Sequence, residues 1–363
     1  MIDDLNVDDG ISPEDAEEIE NGYIPDDSKI IIQKHDGSVF CVAISPTNKD
    51  VILSGGEDDK GFITKISSDE VLLELGDHKD SVICCGFNND GKLVMTADMS
   101  GTIVVRNVED GKTIWDFDCG DLEWCVWHSK ANVVFGAPVD GDIYMWKIPS
   151  GECKIFSTHG SKSTSNALSA SGKELFVGYE DGSVKLWDLK AGTALFHGVG
   201  DLEDSVICVA AQSTNKMFGC GTGKGLIRLY NETGKALFVL NAAINSSGLE
   251  ERSIEGLKFG SDENYLASCS LDGRVCIWSL QHQNTRHELK HPSGVSHLVW
   301  LRKSNTVVTA SLDGVLRQFD VGNGSLVKEM QGHRGHILDV VVFEDEKSVL
   351  TAGDDETCRV FEL

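Results

Sequence analysis

Asp181-Gly182-Ser183-Val184-Lys185-Leu186-Trp187 and Asp272-Gly273-Arg274-Val275-Cys276-Ile277-Trp278 are one phrase written twice: an acidic turn, an alternating strand, an aromatic end. Asp140–Trp146 and Asp313–Phe319 repeat it closely. Weaker copies end at Thr64, Arg106, Tyr230 and Phe361. The eight ends are separated by 42, 40, 41, 43, 48, 41 and 42 residues. A period this regular means stacked copies of one supersecondary unit, each unable to bury its apolar faces alone. Around each phrase the order is constant. A corner comes first (Asp77-His78, Gly332-His333), then an apolar strand (Ser81–Phe87, His336–Phe343). A turn such as Asn88-Asn89-Asp90-Gly91 leads to a second strand ending in small residues (Leu93–Ala97, Ser348–Ala352), and the acidic turn follows.

Four strands per unit of 40 to 45 residues, with this signature, predict an all-β fold: a WD-repeat β-propeller of eight blades over residues 28–363. The last unit, from His333 to Leu363, supplies only three strands. Ile30-Ile31-Ile32 is an apolar strand with no blade of its own. The expectation is closure, with the N-terminal strand completing the last blade as its outermost strand. Residues 1–27 contain eleven acids, no Lys or Arg and few large apolar groups, so they are expected to be a disordered acidic leader. The step of 48 residues contains Ala242–Glu251, read as a lengthened surface loop.

Charge narrows the partner class. The net charge is −26, and the leader accounts for −11 of it, leaving −15 on the repeats. Two acidic parts argue against direct nucleic-acid binding and against anionic membranes, and favour a basic partner. No apolar run is long enough to span a bilayer, and the N-terminus lacks the pattern of a signal peptide. Eleven Cys without a Cys-x-x-Cys read as reduced, mostly buried thiols of a cytoplasmic chain, with the nucleus as a second compartment. A monomer is expected.

Six residues before the unit ends stand Asp58, Ser100, Asp140, Asp181, Lys224, Asp272, Asp313 and Asp355. In WD repeats an Asp–His–Ser/Thr–Trp hydrogen-bond chain ties each blade together. His333 with Thr351, and His291 with Thr309, fit it. Asp58, Asp140, Asp181, Asp272 and Asp313 are therefore assigned as structural turn acids. Ser, His and Asp repeated in successive units are read as structure, not as a catalytic triad, and no catalytic residue is assigned. Gly219–Gly225 resembles a phosphate loop but has Phe218 where Gly is needed and Gly225 where Ser or Thr is needed. Neither cofactor nor metal is expected.

Other acids are not required by the repeat. Glu57, Asp59, Asp98, Glu180 and Glu356 flank the turns. Asp77, Asp80, Asp121, Glu123, Asp201, Glu203 and Asp204 lie at the corners. Turns and corners emerge on one face of a propeller, so a strongly negative face is expected. Its candidate partner-binding residues are Glu57, Asp59, Asp80, Asp98, Asp121, Glu123, Glu180, Asp355 and Glu356. Lys224 interrupts this face in the fifth unit. Units one to four and eight are the expected contact region.

Five stretches carry a more specific likeness: His35-x-Gly-Ser-Val-Phe-Cys-Val, Gly55-Gly56-Glu57-Asp58-Asp59-Lys60, His78-Lys79-Asp80-Ser81-Val82, Asp98-Met99-Ser100-Gly101 and Gly120-Asp121-Leu122-Glu123-Trp124, of which the last two are not general blade features. With them the chain resembles the angio-associated migratory cell protein family over about residues 30–363. The resemblance implies an eight-bladed propeller whose fungal relatives are dedicated chaperones of one large-subunit ribosomal protein. In those relatives an acidic face grips the client's basic N-terminal segment. It also implies cytoplasmic ribosome assembly, and for vertebrate members an association with cell migration and vessel growth. The alternative is a WD-repeat scaffold or adaptor binding ordinary partners at its rim. The Trp-Asp-x-Arg of ubiquitin-ligase receptors is absent: the nearest stretch is Trp187-Asp188-Leu189-Lys190.

Overall fold

The computed structural model describes residues 25–200, 204–214, 216–242 and 252–363. Among them are 32 strands, β1 to β32 in chain order, in eight four-stranded antiparallel sheets. Seven sheets are built from consecutive strands, as in blade one: β2 (Val39–Ile44), β3 (Val51–Gly56), β4 (Gly61–Lys65) and β5 (Glu70–Leu75). The innermost strands of successive blades pack side by side around a full circle, and β2 meets β30 (Ile337–Val342) to close it.

Burial follows position within the blade. The second strand is buried along its whole length in blade one, because both faces of the sheet meet neighbouring blades. The outermost strand β5 is mostly exposed. The small residues ending each second strand have a steric cause. A Cβ at Gly55 would stand 2.5 Å from Val82 Cγ1 of the next blade, so the adjoining inner strand could not approach.

Every inner strand carries a register shift between its first and third residues. Such a bulge re-aims a side chain. Ser296 donates to Ile337 O at 2.8 Å and Thr164 to Val206 O at 2.6 Å, each stitching one blade to the next. Nothing in the repeat spacing announced this.

The eighth sheet has the order β1–β32–β31–β30, where β1 is Ile30–Ile32, β31 is Ser348–Gly353 and β32 is Cys358–Glu362. Ile30 pairs with Val360 and Ile32 with Cys358. The N-terminal strand thus completes the last blade, as expected. Ile32 is buried in the core shared by blades eight and one. The expected disordered leader ends too late, however. Asp27 N donates to Gln331 O and Gln331 N to Asp27 Oδ2, both at 2.8 Å. Asp26 accepts from Arg359 at 2.5 Å. These two acids are fixed on blade eight. The remaining leader up to residue 24, with Asp201, Glu203 and nearly all of the 242–251 loop, lies outside the described residues.

Candidate functional site

The turn between the second and third strands and the corner before the first strand share one edge of each blade. A backbone bond joins them in all eight, including Glu57 N to Ser38 O, Val139 N to Asp121 O, Glu180 N to Lys162 O and Asp354 N to His336 O, each at 2.8–2.9 Å. All candidate acids therefore lie at or beneath one face.

Three blades hold the Asp–His–Ser/Thr part of the corner chain, with Thr64, Arg106 and Phe361 where the Trp would stand. His35 bonds Asp58 and Ser54, both at 2.8 Å. His78 bonds Asp98 at 3.2 Å and Thr96 at 2.8 Å. His333 bonds Asp355 at 2.9 Å and Thr351 at 2.7 Å. Burial depresses the pKa of His35 and His78 despite their carboxylate partners, so both are neutral at pH 7.

This geometry corrects three assignments. Asp98, a candidate contact, is 0% exposed. It accepts from Lys79 N at 3.0 Å, Thr102 N at 2.8 Å and the Ser100 hydroxyl at 2.8 Å besides His78. Burial opposes its ionised form, but these donors prevail and hold its pKa below the usual carboxylate value. It does the work that spacing gave to Ser100, from two residues earlier. Asp355, also a candidate contact, is largely enclosed. It accepts from Arg334 N at 2.9 Å and Thr357 at 2.7 Å, with Arg359 at 3.6 Å. Asp140 moves the other way. Its corner has no His, its one bond is from Asp142 N at 3.0 Å, and it is exposed on the face rather than tied into its blade. In the fifth blade the buried Asp204 replaces the missing turn acid, capping Lys224 N at 2.9 Å.

Of the remaining candidates, Glu57, Asp59, Asp80, Asp121, Glu180 and Glu356 are exposed. Glu123 is half-buried and paired to Lys162 at 2.5 Å. The turn acids divide by blade. In blades five to eight each structural acid has an Arg: Asp204 with Arg228, Asp272 with Arg274, Asp313 with Arg317 and Asp355 with Arg359. In blades one, two and four the partner is His35, His78 or His159, and in blade three there is none. Arg106 of blade two pairs instead with Asp77. The structural acids of blades one to four thus lack the Arg partner found in blades five to eight, while Lys60, Lys79 and Lys162 there pair with Glu74, Asp118 and Glu123 and leave Glu57, Asp59, Asp80, Asp121, Asp140 and Glu180 exposed.

The Arg also disturbs blade seven. Because Arg317 takes Asp313, His291 keeps only Thr309, at 2.9 Å, and its buried Nδ1 has no protein partner. Burial, helped by Arg317, lowers its pKa to about 4. In blade three Gly136 stands where blade six has Ser268, the acceptor of the Trp278 indole at 2.9 Å, and the buried Trp146 indole N–H is left unpaired.

One site feature went unread in the sequence. The residue opening each turn forms a ring around the channel mouth, and between Glu57 and Glu180 it is apolar. Met99 is 49% and Val139 43% exposed. Aligning that single column of the repeat, instead of counting acids, would have shown Met99 and Val139 as well as Leu271 and Leu312, and only their exposure separates the two pairs.

Among the described residues no group of three or more His, Cys, Asp or Glu is arranged to hold a metal. All eleven thiols are free, and burial pushes several up, Cys84 to about 12.

The fold and its corner chains define a WD-repeat propeller, and the family model "WD domain, G-beta repeat" matches residues 27–61, 69–107, 151–188, 247–279, 283–320 and 324–362. The third blade, apart from its last residues, and the fifth blade fall outside those matches. The human angio-associated migratory cell protein is 37% identical over 348 residues, covering 93% of this chain and 80% of the relative. This chain belongs to the angio-associated migratory cell protein family of WD-repeat proteins. Ribosome assembly protein SQT1 of Saccharomyces cerevisiae is 23% identical, over 100% of this chain and 93% of its own. Among solved structures, Chaetomium thermophilum Sqt1 bound to the N-terminus of ribosomal protein L10 superposes with a TM-score of 0.84. It is 23% identical and covers 93% of this chain and 100% of its own, a likeness of fold.

Proposed function

We propose that this protein is a non-catalytic carrier whose acidic propeller face holds the basic N-terminal segment of a large-subunit ribosomal protein during ribosome assembly in the cytoplasm. The observation that carries the reading is the set of exposed acids Glu57, Asp59, Asp80, Asp121, Asp140 and Glu180 over blades one to four, opposite blades whose structural acids are each paired with an Arg. A one-signed patch around a channel mouth focuses field lines and draws in a chain of opposite charge. A protein that must keep a cationic segment from binding RNA prematurely needs such a surface. The relatives named for ribosome assembly and for L10 binding support the same partner class.

The test is a pull-down from cytosol followed by mass spectrometry. Wild type is compared with a folded variant carrying Glu57→Lys, Asp121→Lys, Asp140→Lys and Glu180→Lys. Recovery of one basic ribosomal protein by wild type and its loss from the variant is the expected result. Diverse partners, unchanged by the variant, would sink the reading. A scaffold role is the second reading. It is favoured by exposed apolar residues on outer strands, such as Val71, Leu72, Val239 and Val327, which could hold partners at the rim.

A further inference from the structure

Acids alone recognise charge, and many cellular chains are basic. Discrimination among them needs a contact that charge does not supply. The boundary between blades two and three offers one. Met99 and Val139, the two exposed apolar residues of the mouth ring, are joined through a single corner: Leu122 N donates to Met99 O at 2.9 Å and Val139 N to Asp121 O at 2.8 Å. That corner leads outward, through Gly120 and Cys119, to the outermost strand of blade two, β9 (Thr113–Asp118). Gly120 O lies so close to Gly101 that no Cβ could be placed there, so corner and turn form one continuous surface.

At the outer end stands an aromatic cluster. Phe117 is exposed and stacks on Trp115 at 6.1 Å and 2°, and it lies 5.1 Å from Trp146. Tyr144 stacks on Trp146 at 5.4 Å and 13°. Ile155, also exposed, is the cross-strand partner of Tyr144. Carboxylates border the path: Asp116 next to Phe117 in the strand, Asp121 in the corner, Asp140 and Asp142 near Tyr144, while Asp118 is paired with Lys79 at 2.8 Å. Burial raises the Tyr144 pKa, and the charges of Asp140 and Asp142 add to the effect, as expected of carboxylates close to the ring. No other pair of neighbouring turns among the described residues presents two exposed large apolar side chains at the mouth.

We propose that this boundary is an apolar track, running from the channel mouth to the rim of blades two and three, that selects basic segments in which cationic residues alternate with apolar or aromatic ones. The proposal rests on the basic-client reading above and adds the selectivity within it. An extended chain turns successive side chains to opposite sides. Apolar residues facing the track would then alternate with cationic residues facing the bordering acids. The stretch Phe117–Leu122 sets the reach at about six extended residues, roughly 20 Å.

Two synthetic peptides of equal length and charge test it, one alternating Arg with Leu and one alternating Arg with Ser. Each is titrated into the full chain by calorimetry at physiological salt. Wild type should bind the Arg–Leu peptide about tenfold or more tightly than Arg–Ser, as expected for a few partly buried apolar side chains. A Met99→Ser/Phe117→Ser variant, changed only at exposed positions, should reduce that ratio to about twofold and leave Arg–Ser affinity unchanged. Equal affinities in wild type, with both peptides lost on Glu57→Lys/Glu180→Lys, would overturn the track and leave the basic-client reading standing. A ratio that survives the Ser variant would also overturn it. Binding of neither peptide would remove both readings.

Discussion

Asp98→Asn and Asp140→Asn make the same chemical change at two acids that the repeat spacing ranks in the wrong order. Asp98 Oδ1 accepts from the Ser100 hydroxyl and Thr102 N, and Oδ2 from Lys79 N and the His78 ring. An amide can present only one oxygen. Its NH2 then faces donors, and at least the Lys79 or Thr102 N–H is left buried without an acceptor, at about 1–3 kcal/mol each. The bonds that remain are no longer made to a charged acceptor, which weakens them as well, so Asp98→Asn should cost about 3–5 kcal/mol. In a body of this size that lowers Tm by roughly 4–7 °C. Asp140 accepts one bond at the surface, and its replacement should stay within about 0.5 kcal/mol. Thermal melts at pH 7 decide the matter. The folded pKa of Asp98 is depressed, so its contribution is fully present above the unfolded value of about 3.9 and is lost as pH falls toward the folded one. The difference between the two variants should therefore be undiminished at pH 7. Equal melting temperatures, or a lower one for Asp140→Asn, would refute the assignment of Asp98 as the structural acid of blade two.

Ile32→Ala, in the closing strand, should destabilise by about 2–4 kcal/mol, read from the midpoint of urea unfolding, whereas Ile31→Ala on the exposed side of the same strand should not. His291 has a folded pKa near 4, below its unfolded value of about 6.5, so the unfolded chain gains the proton first. Stability should fall as pH drops from 6.5 to 4, by on the order of 2–3 kcal/mol, and His291→Phe should flatten that part of the profile. Affinity for the Arg–Ser peptide should decline steeply between low and physiological salt, because exposed charges dominate that contact and are screened within about 8–10 Å. A salt-independent affinity would speak against the electrostatic face.

Most of the architecture was legible because the propeller writes its period into the chain. Even blades with weak signatures, ending at Thr64 and Arg106, keep strand length and spacing, and the unpartnered strand at Ile30 pointed to closure by simple accounting of edges. The roles of individual acids were less legible. A carboxylate two residues out of register, as at Asp98, or on the corner instead of the turn, as at Asp204, can reach the same donors. Spacing therefore identified the kind of interaction but not always the residue making it. Buried cations were read even less well. Arg317 and Arg359, and the half-buried Arg228, pair with acids that a count of surface charge retains. The leader boundary failed for a similar reason: Asp26 and Asp27 look like more of an acidic tail until Arg359 and Gln331 are seen beneath them.

The closing strand also has a kinetic meaning. Ile30–Ile32 is made before any of the seven consecutive blades, yet its partner strand Cys358–Glu362 comes only after all of them. During synthesis seven blades can assemble locally while the eighth waits, its edge and the apolar strand both unpaired. The entropy of bringing such distant segments together grows only logarithmically with the intervening length, and the stacked blades shorten the effective loop further. The last joint to form is thus also the one whose opening would disturb the fewest other strands. Unfolding should begin as an unlatching at blade eight, and amide exchange there should run ahead of the rest of the ring.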